Sequence, residues 1–263
     1  KSRKKLDIFD YERPVGIQIF GGDEEAMAMS ARIVETVNPD LVDINFGCPV
    51  KKVVCKGAGA GVLKDVDLMV RLTKAVIDST NLPVTVKTRL GWDDNSINID
   101  EVAERLQDIG VQALTIHART RAQMYKGHSD WSHIARVKNN PRITMPIFGN
   151  GDIDSPEKAL KFKNEYGIDG IMIGRAAIGY PWIFNEIKHF FETGEHLPAP
   201  TVGDRVEAAR NHLTWSMEWK GERLGIVEMR RHYTNYFKGI HSFKEYKQKL
   251  VTIDDPQELF NVM

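Results

Sequence analysis

The chain has 263 residues, of which 42% are hydrophobic and 27% charged, and its 36 basic and 36 acidic side chains give a formal net charge of zero. This composition is typical of a globular protein and argues against low-complexity and fibrous classes, and any polyanionic partner would need a local basic patch. Two cysteines without CxxC spacing argue against a disulfide framework and a zinc site, and no apolar run is long enough to span a membrane. We therefore expect a cytoplasmic, monomeric protein with no metal and no membrane partner.

Apolar, β-branched strands alternate with amphipathic helices over most of the chain. The predicted strands are Val15–Phe20, Leu41–Phe46, Val84–Leu90, Ala113–Ala118, Pro146–Gly149 and Gly170–Gly174. The predicted helices are Glu24–Val37, Val66–Asp78, Ile99–Ile109, Ser132–Lys138, Pro156–Tyr166 and Pro181–Glu192. Near-continuous apolar strands joined by crossover helices indicate an α/β fold with a parallel sheet that is buried on both faces.

The ends of the strands distinguish a doubly wound sheet from a barrel, because six βα units fit either fold. Asn150-Gly151 follows the fifth strand and Gly174-Arg175 the sixth, and barrels often bind phosphate with the loops after strands seven and eight. This placement makes Val15–Phe20 the third strand of a (β/α)8 TIM barrel whose first two strands are absent from the sequence. The start at Lys1-Ser-Arg-Lys-Lys5, without an initiator methionine, agrees with a chain that begins inside a longer protein.

The pattern changes after the last strand and its helix. Gly194–Gly203, with Pro198 and Pro200, has the composition of a linker. Beyond it only helices are predicted, at Asp204–Lys220, at Glu222–Ile240 and in a shorter piece after Phe243. We therefore predict a barrel domain over residues 1–193, a linker over 194–203 and a small all-helical C-terminal domain over 204–263.

The second strand runs into the most informative segment, Asp43-Ile-Asn-Phe-Gly-Cys-Pro49. The turn Gly47-Cys48-Pro49 stops the strand and exposes a thiol at its tip, with Asn45 three residues earlier. A free cysteine is often only a small buried hydrophobe. A thiol that is protonated at neutral pH can also donate a proton, which makes Cys48 a candidate general acid. We assign Cys55 a structural role.

Charged side chains mark the next two strands. Side chains alternate along a strand, so Thr85, Lys87 and Arg89 share one face of the third. A lysine inside a barrel strand is costly without an anionic partner, so Lys87 indicates either an ion pair with a neighbouring carboxylate or a phosphate or anionic cofactor. His117 and Arg119 end the fourth strand. His117 fits either a satisfied core histidine or a residue of the barrel mouth.

A phosphate site is predicted after the last two strands. Gly149-Asn-Gly-Asp152 alone is compatible with an ordinary turn. Together with Gly174 and Arg175 one unit later, its backbone N–H groups and the guanidinium would form a phosphate cradle. Gly57-Ala-Gly-Ala-Gly61 does not match the dinucleotide fingerprint, because its glycines alternate strictly and no strand directly precedes them. We predict that it is a flexible loop near the pocket.

The helical tail combines basic and aromatic residues. From Lys220 to Lys249 eight basic side chains (220, 223, 230, 231, 238, 244, 247, 249) stand against three glutamates (222, 228, 245). The interleaved aromatic residues are His232, Tyr233, Tyr236, Phe237, Phe243 and Tyr246. Basic residues contact phosphates and aromatic rings stack on exposed bases, whereas a solvated helix face with an aromatic core stripe would give the same pattern.

These segments together resemble the tRNA-dihydrouridine synthases, in particular their bacterial branch. The matching segments are Val15–Phe20, Asp43–Val53, Val84–Gly91, Leu114–Arg121, Gly149–Asp152 and Met172–Ala177. The likeness runs from about Pro14 to Glu192 and continues more loosely through the tail. The family's N-terminal strands, with a Pro-Met loop that packs on the flavin, are not in this sequence.

The resemblance implies an FMN-bearing barrel that reduces a uridine in the tRNA D-loop to 5,6-dihydrouridine, with NADPH as the reductant and tRNA as the partner. The matching positions that would hold FMN are Gln18, Lys87, His117, Asn150, Gly151, Gly174 and Arg175, to which we add Asp152. The residues expected to bind substrate are Asn45, at the uracil, and Arg89, Arg119, Arg230 and Arg231. Reduced flavin would give hydride to uracil C6, Cys48 would protonate C5 as the general acid, and Lys87 would stabilise the reduced flavin.

Two other functions fit parts of the same pattern. An FMN-dependent oxidoreductase that acts on a free pyrimidine, of the dihydroorotate or dihydropyrimidine dehydrogenase type, would share the flavin chemistry and the phosphate cradle. It would not need a basic helical tail. A non-catalytic RNA-binding fragment would explain the incomplete barrel, and it would bind tRNA without flavin.

Overall fold

The computed structural model describes residues 6–263, and residues 1–5, on which the expectation about the start of the chain rests, lie outside this part. The chain forms two compact units. The first comprises the chain up to Asp152 together with Lys161–Met172, and the second comprises Ile153–Leu160 and Ile173–Met263. The predicted domains over residues 1–193 and 204–263 and the linker over 194–203 stay predictions.

One parallel sheet of six strands forms the centre of the first unit. The strands are β1 (Gly16–Ile19), β2 (Leu41–Asn45), β3 (Val84–Arg89), β4 (Ala113–His117), β5 (Ile147–Asn150) and β6 (Gly170–Met172). They lie in the order of the sequence, without the reversal of strand order that defines a doubly wound sheet. Consecutive parallel order with intervening helices is the arrangement of a (β/α)8 barrel, so the predicted α/β barrel architecture is confirmed for these six βα units.

The helices that follow the strands are α1 (Glu24–Glu35), α2 (Lys51–Val54), α3 (Val66–Ile77), α4 (Ile99–Asp108), α5 (Ser132–Lys138), α6 (Pro156–Tyr166) and α7 (Ile183–Thr193). Short 3-10 helices lie at Asp10–Glu12, Gly59–Lys64 and Arg175–Ala177. Two of the crossover helices begin at an aspartate cap. Asp23 accepts a hydrogen bond from Ala26 N at the start of α1, and Asp65 accepts one from Leu68 N at the start of α3, both at 2.8 Å. These caps satisfy N–H groups that have no partner within the helix.

The core of the first unit lies on one face of the sheet. The fully buried side chains of this face include Val42, Ile44, Val86, Leu114, Ile116 and Ile147. At Gly149 in β5, the missing side chain makes room for an indole, because a Cβ there would overlap the ring of Trp131. The opposite face of the strands carries the polar residues of the candidate site.

The second unit ends in four helices, α8 (Val202–Lys220), α9 (Glu222–Tyr236), α10 (Phe243–Thr252) and α11 (Pro256–Val262). Their shared core is formed by Ala209, Leu213, Ile226, Met229, Tyr233, Tyr236, Phe237, Leu250 and Leu259. Gly225 lets α8 and α9 pack closely, since a Cβ at this position would lie 2.6 Å from Met217 N. Burial raises the pKa of Tyr233 to about 12, and that ring is fully enclosed.

Most predicted element ends agree with the structure to within about two residues, and four features of the structure differ from the predictions. The helix predicted to reach Ile240 ends at Tyr236, and α2 and α11 were not predicted at all. The segment Gly57–Gly61 is not simply a flexible loop, because it leads into the 3-10 helix Gly59–Lys64 with Ala58 and Ala60 buried. Within residues 6–263, no helix is long and apolar enough to cross a bilayer.

Candidate functional site

Strand register brings the predicted polar residues onto one face of the sheet. The paired positions include Gln18 with Asp43, Asn45 with Lys87, Lys87 with Thr115, Arg89 with His117, and His117 with Asn150. Paired residues of neighbouring parallel strands point to the same side, so these side chains line a common surface towards the carboxyl ends of the strands. In barrel enzymes this end of the sheet carries the active site.

Hydrogen bonds connect the side chains on β1, β2 and β3. Gln18 Nε2 donates to Asp43 Oδ2 at 2.6 Å, and Thr85 Oγ1 donates to Asp43 Oδ1 at 2.7 Å. Asn45 Nδ2 donates to Gln18 Oε1 at 2.7 Å. Burial raises the pKa of Asp43, and the two hydrogen bonds and the charge of Lys87 oppose this shift only in part. Asp43 was missed as a site residue, although a carboxylate inside an apolar strand is the same signal that identified Lys87.

The turn after β2 holds the half-buried thiol of Cys48. Asn45 Oδ1 accepts hydrogen bonds from both Gly47 N and Cys48 N at 2.9 Å, and Cys48 O accepts one from Ala60 N at 3.0 Å. The side chain of Asn45 therefore shapes the turn that presents the thiol. Cys55 is exposed in a different position, at the end of α2.

Lys87 lies among groups that favour its positive charge and groups that oppose it. Burial and the neighbouring Arg89 guanidinium lower the pKa of Lys87 to about 8, while Asp43 and Cys48 act in the opposite direction. Asn45, which bonds to Cys48 N, is the register partner of Lys87, so the turn that carries the thiol follows the strand position beside this lysine. The carboxylate of Asp43 is the nearest candidate for the ion-pair interpretation, but both its oxygens accept hydrogen bonds from Gln18 and Thr85. Lys87 is therefore a cation that an additional anionic group would stabilise.

Arg89 is buried and forms hydrogen bonds to the loops around the thiol. Its Nε donates to Gly47 O at 2.7 Å, and its Nη1 donates to Thr120 O and Met124 O at 3.0 and 2.9 Å. The side chain is 2% exposed. These bonds join the turn after β2 to the loop after β4, so the arginine orders both loops. The prediction that Arg89 binds substrate stays a prediction.

Arg119 has a similar role one strand further on. Its guanidinium donates to Lys126 O and Gly127 O at 3.2 and 2.7 Å, and to Asp152 Oδ2 at 2.6 Å. Burial disfavours the charge on Asp152, but the Arg119 guanidinium and Ser129 hold the pKa of this carboxyl well below its usual range. Arg119 and Asp152 thus stabilise the loops after β4 and β5, and their predicted contacts with substrate and cofactor stay predictions.

His117 and Asn150 lie side by side at the ends of β4 and β5. His117 is buried, and its Nε2 lies 3.5 Å from Arg119 Nη1. A guanidinium only donates, so Nε2 would be the acceptor in this contact. Asn150 Nδ2 donates to Met172 O at 2.8 Å, and the carbonyl of Gly151 accepts from Trp131 Nε1 at 3.2 Å.

The remaining predicted site residues belong to the second unit. Gly174 precedes the 3-10 helix that begins at Arg175, and a Cβ at Gly174 would meet no protein atom within 4 Å among the described residues. The open space beside this backbone is compatible with a phosphate. On α9, Arg231 is well exposed, whereas Arg230 Nη2 donates to Asp254 Oδ1 at 2.5 Å and to Ile253 O at 3.3 Å.

The aromatic residues predicted to stack on bases divide into two groups. Tyr233, Tyr236 and Phe237 are buried in the helical core and cannot present their rings to a nucleic acid, which corrects that part of the prediction. Tyr246 is half exposed. Sequence reasoning also did not single out Trp215, the most exposed tryptophan of this unit at 64%.

The first-unit residues could hold a planar, polar cofactor next to a thiol. They offer amides at Gln18 and Asn150, an ammonium at Lys87, an imidazole at His117 and a proton donor at Cys48. Such a set can bind a heterocycle through hydrogen bonds, stabilise negative charge and transfer a proton. Among residues 6–263, no group of three or more His, Cys, Asp or Glu side chains is arranged to hold a metal ion.

The chain matches a protein-family model and many curated proteins. The model is that of dihydrouridine synthases, and the match spans residues 1–263. The "Probable tRNA-dihydrouridine synthase 1" of Synechocystis sp. is 43% identical over 253 residues, which cover 96% of this chain and 70% of that protein. The "tRNA-dihydrouridine synthase B" of Pseudomonas aeruginosa is 39% identical over 255 residues, which cover 97% of this chain and 76% of that protein.

Among solved structures, morphinone reductase aligns with a TM-score of 0.48 at 14% identity, over 68% of this chain and 50% of that one. A complex of 2-naphthoyl-CoA reductase aligns with the same TM-score at 16% identity, over 63% of this chain and 28% of that one.

Proposed function

This chain belongs to the dihydrouridine synthase family, and from that membership we propose that it reduces a uridine in the D-loop of tRNA to 5,6-dihydrouridine, with bound FMN and with NADPH as the reductant. Two of the curated relatives carry the tRNA substrate in their names. A tRNA substrate implies a cytoplasmic enzyme.

The donor set on the sheet suits FMN, a planar heterocycle with several hydrogen-bonding atoms and a phosphate. Gln18, Lys87, His117 and Asn150 would hold the ring through their amides, ammonium and imidazole. Gly151 and Asp152, and Gly174 and Arg175 of the second unit, stay predicted ligands of the cofactor. When bound, FMN supplies the hydride that reduces the base.

One observation carries the mechanistic proposal, namely that Asn45, the register partner of Lys87, holds through its side chain the turn that presents the half-buried thiol of Cys48. Addition of hydride to uracil C6 leaves negative charge that is relieved by a proton at C5. Cys48 would donate that proton, and general acid catalysis of this kind typically contributes about 10²–10⁴-fold. Lys87 would hold its positive charge near the developing negative charge.

The substrate side of the site involves Asn45 and the two buried arginines. Asn45 would bind the uracil with the second N–H of its side-chain amide, while its oxygen keeps the Cys48 turn in shape. Arg89 and Arg119 would act mainly by ordering the loops that surround the base, because their N–H groups already bond to protein oxygens.

The target base is stacked inside folded tRNA and must be turned out, at a cost of a few kcal/mol. Contacts to the RNA backbone offset such a cost, and basic residues provide them. Arg231 on α9 is exposed and suited to a phosphate contact. The helical tail would therefore hold the tRNA through its exposed basic residues.

The test of the catalytic proposal compares the two cysteines of the chain. Cys48→Ala should retain FMN and lose most dihydrouridine formation on tRNA that lacks the modification, because the proton donor is gone. Cys55→Ala is the matched control, since this exposed thiol lies on a different segment, and its activity should equal that of the wild type. Flavin content is read from absorbance bands at roughly 375 and 450 nm.

Several outcomes would contradict the proposal. Full turnover by Cys48→Ala would remove the thiol from the reaction. Turnover of free uracil or orotate without RNA would instead favour an oxidoreductase for free pyrimidines. A purified protein that binds tRNA but stays colourless, even after incubation with FMN, would favour a non-catalytic RNA-binding role.

A further inference from the structure

A continuous chain of hydrogen bonds runs across the polar face of the sheet to the catalytic turn. It begins at the hydroxyl of Thr85 and passes through the carboxylate of Asp43, the amide of Gln18 and the amide of Asn45. It ends at the backbone N–H groups of Gly47 and Cys48. Its five hydrogen bonds are between 2.6 and 2.9 Å long.

The groups at the two ends of this hydrogen-bonded series fix which atom donates and which accepts in every hydrogen bond. Backbone N–H groups only donate, so the oxygen of Asn45 must face the turn and its NH2 group must face Gln18. The oxygen of Gln18 then accepts from Asn45, which leaves its NH2 group to find an acceptor. An ionised carboxylate is a group that only accepts, and Asp43 provides it.

We propose that Asp43 is a positioning residue, whose carboxylate fixes the orientation of the Gln18 and Asn45 amides and thereby holds the turn that presents Cys48. This role rests on the proposed function of Cys48 as the proton donor. It extends that function to a residue that touches neither the thiol nor, in the proposal, the cofactor. Without the carboxylate, the Gln18 amide loses its acceptor and only the backbone N–H groups of the turn still orient the two amides, so both amides can turn over together and free the turn.

The same carboxylate acts on the charge of Lys87. The titratable groups that influence this lysine are Asp43 on β2, Cys48 on the following turn and Arg89 on β3, and its neighbour on β4 is the uncharged Thr115. Asp43 raises the pKa of Lys87, against burial and Arg89, which lower it to about 8. Removal of the negative charge would therefore let Lys87 lose its proton at a lower pH.

These two effects respond differently to two substitutions of Asp43. In Asp43→Asn, the side-chain oxygen can still accept from Gln18 while the NH2 group donates to the hydroxyl of Thr85, so the hydrogen-bonded chain is kept and only the charge is lost. Asp43→Ala removes both the acceptor and the charge. A residue that merely stabilised the sheet would not separate the two effects in this way.

The first measurement is the rate at which iodoacetamide alkylates Cys48 in a Cys55→Ser background, which leaves a single thiol. Asp43→Ala should raise this rate by roughly three- to tenfold, the ratio that corresponds to the loss of about one hydrogen bond. Asp43→Asn should restore a rate close to that of the background protein. Gln18→Ala, on an exposed strand, should match Asp43→Ala, and the double variant should show no further increase.

The second measurement is the pH dependence of FMN affinity between pH 6 and pH 10. The affinity of the background protein should decline as Lys87 is neutralised near pH 8, and both Asp43 variants should show this decline at a lower pH. Asp40→Ala is the control, because its carboxylate bonds to Val15 N near the other end of β2. It should change neither the alkylation rate nor the position of the decline.

The proposal is overturned if Asp43→Ala leaves the alkylation rate unchanged, or if Asp43→Asn fails to restore it while the protein keeps its circular dichroism spectrum. Should Asp43→Ala not fold, Gln18→Ala carries the alkylation test, and an unchanged rate in that variant overturns the proposal equally. Alkylation requires neither tRNA nor turnover. A failure of the proposed tRNA activity would therefore be seen separately from a failure of this inference.

Discussion

Lys87 is expected to lower the stability of the protein in which it functions. Burial and Arg89 lower its pKa from 10.5 to about 8, which means that the fold disfavours the charged form. This interval corresponds to about 3 kcal/mol of folding free energy at neutral pH. Replacement of the ammonium by an apolar group of similar length, as in Lys87→Met, removes this cost.

The gain should be smaller than this full amount, because Lys87 is only partly buried and water screens part of the cost of its charge. We therefore expect Lys87→Met to stabilise the flavin-free protein by about 1–2 kcal/mol at pH 7. The unfolded chain keeps its lysine proton up to about pH 10.5, whereas the folded protein releases it above about pH 8. The wild type should thus gain stability across this interval, and the difference between the two proteins should shrink towards pH 10.

The assay is urea unfolding of flavin-free protein at pH 7 and at pH 9.5, with FMN affinity measured in parallel. Lys87→Met should be more stable at pH 7 but bind FMN more weakly. Lys74→Met, at an exposed position of α3, is the control and should change neither quantity substantially. A variant that is less stable than the wild type at pH 7, or a difference that stays constant between the two pH values, would refute the reasoning.

Four further substitutions test other parts of the structure. Arg231→Ala should weaken tRNA binding and lower the slope of log Kd against log salt concentration by about one, as expected for the loss of one phosphate contact. Arg230→Ala breaks an ion pair within the unit and should mainly lower the melting temperature. Arg119→Met should destabilise the protein by about 3 kcal/mol in urea unfolding at pH 7, because it leaves the carboxylate of Asp152 without its buried partner. This difference should shrink at pH values below 4, where Asp152 can be protonated in the variant. Tyr233→Phe should be neutral or stabilising by about 1 kcal/mol in thermal unfolding, since the buried hydroxyl of Tyr233 has no hydrogen-bond partner among residues 6–263.

The strands were predictable because burial on a parallel sheet demands an uninterrupted apolar side. β2 and β3 both show this pattern, with Val42, Ile44 and Val86 fully buried. The same strands carry polar residues at the alternate positions, and alternation alone predicted that Lys87 and Arg89 share a face. Sequence reasoning could therefore recover the sheet and the residues that line its polar side.

Other features depend on tertiary contacts that local pattern does not contain. The segment Gly57–Gly61 lacks any hydrophobic periodicity, yet positive φ angles at Gly57 and Gly59 let it fold back and bury its small residues. The basic and aromatic residues of α9 alternate in a way that fits either an RNA-binding face or a core stripe. Only the packing of α8 against α9 shows that Tyr233 and Tyr236 belong to the core.

Arg89 and Arg119 illustrate a different limit of sequence reasoning. Arginines at strand ends are a common signal for contact with anions, and both were predicted to bind substrate. In the structure, each also bonds to two or more backbone carbonyls of the loops that follow β2 and β4, and the predicted substrate contacts stay predictions. A loop carbonyl has no signature in sequence, so the number of acceptors available to an arginine could not be foreseen.

The shifted pKa values of Asp43 and Lys87 indicate which kind of charge the polar face of the sheet would stabilise in a ligand. A tight ion pair would favour the charged form of both partners, yet the pKa of Asp43 is raised and that of Lys87 is lowered. Burial is the largest cause of both shifts, and both oxygens of Asp43 accept hydrogen bonds from Gln18 and Thr85 rather than from Lys87. The positive charge of Lys87 is thus only partly compensated within the protein. A group that brings or develops negative charge beside it would restore the balance, which is the electrostatic requirement of the proposed reduction.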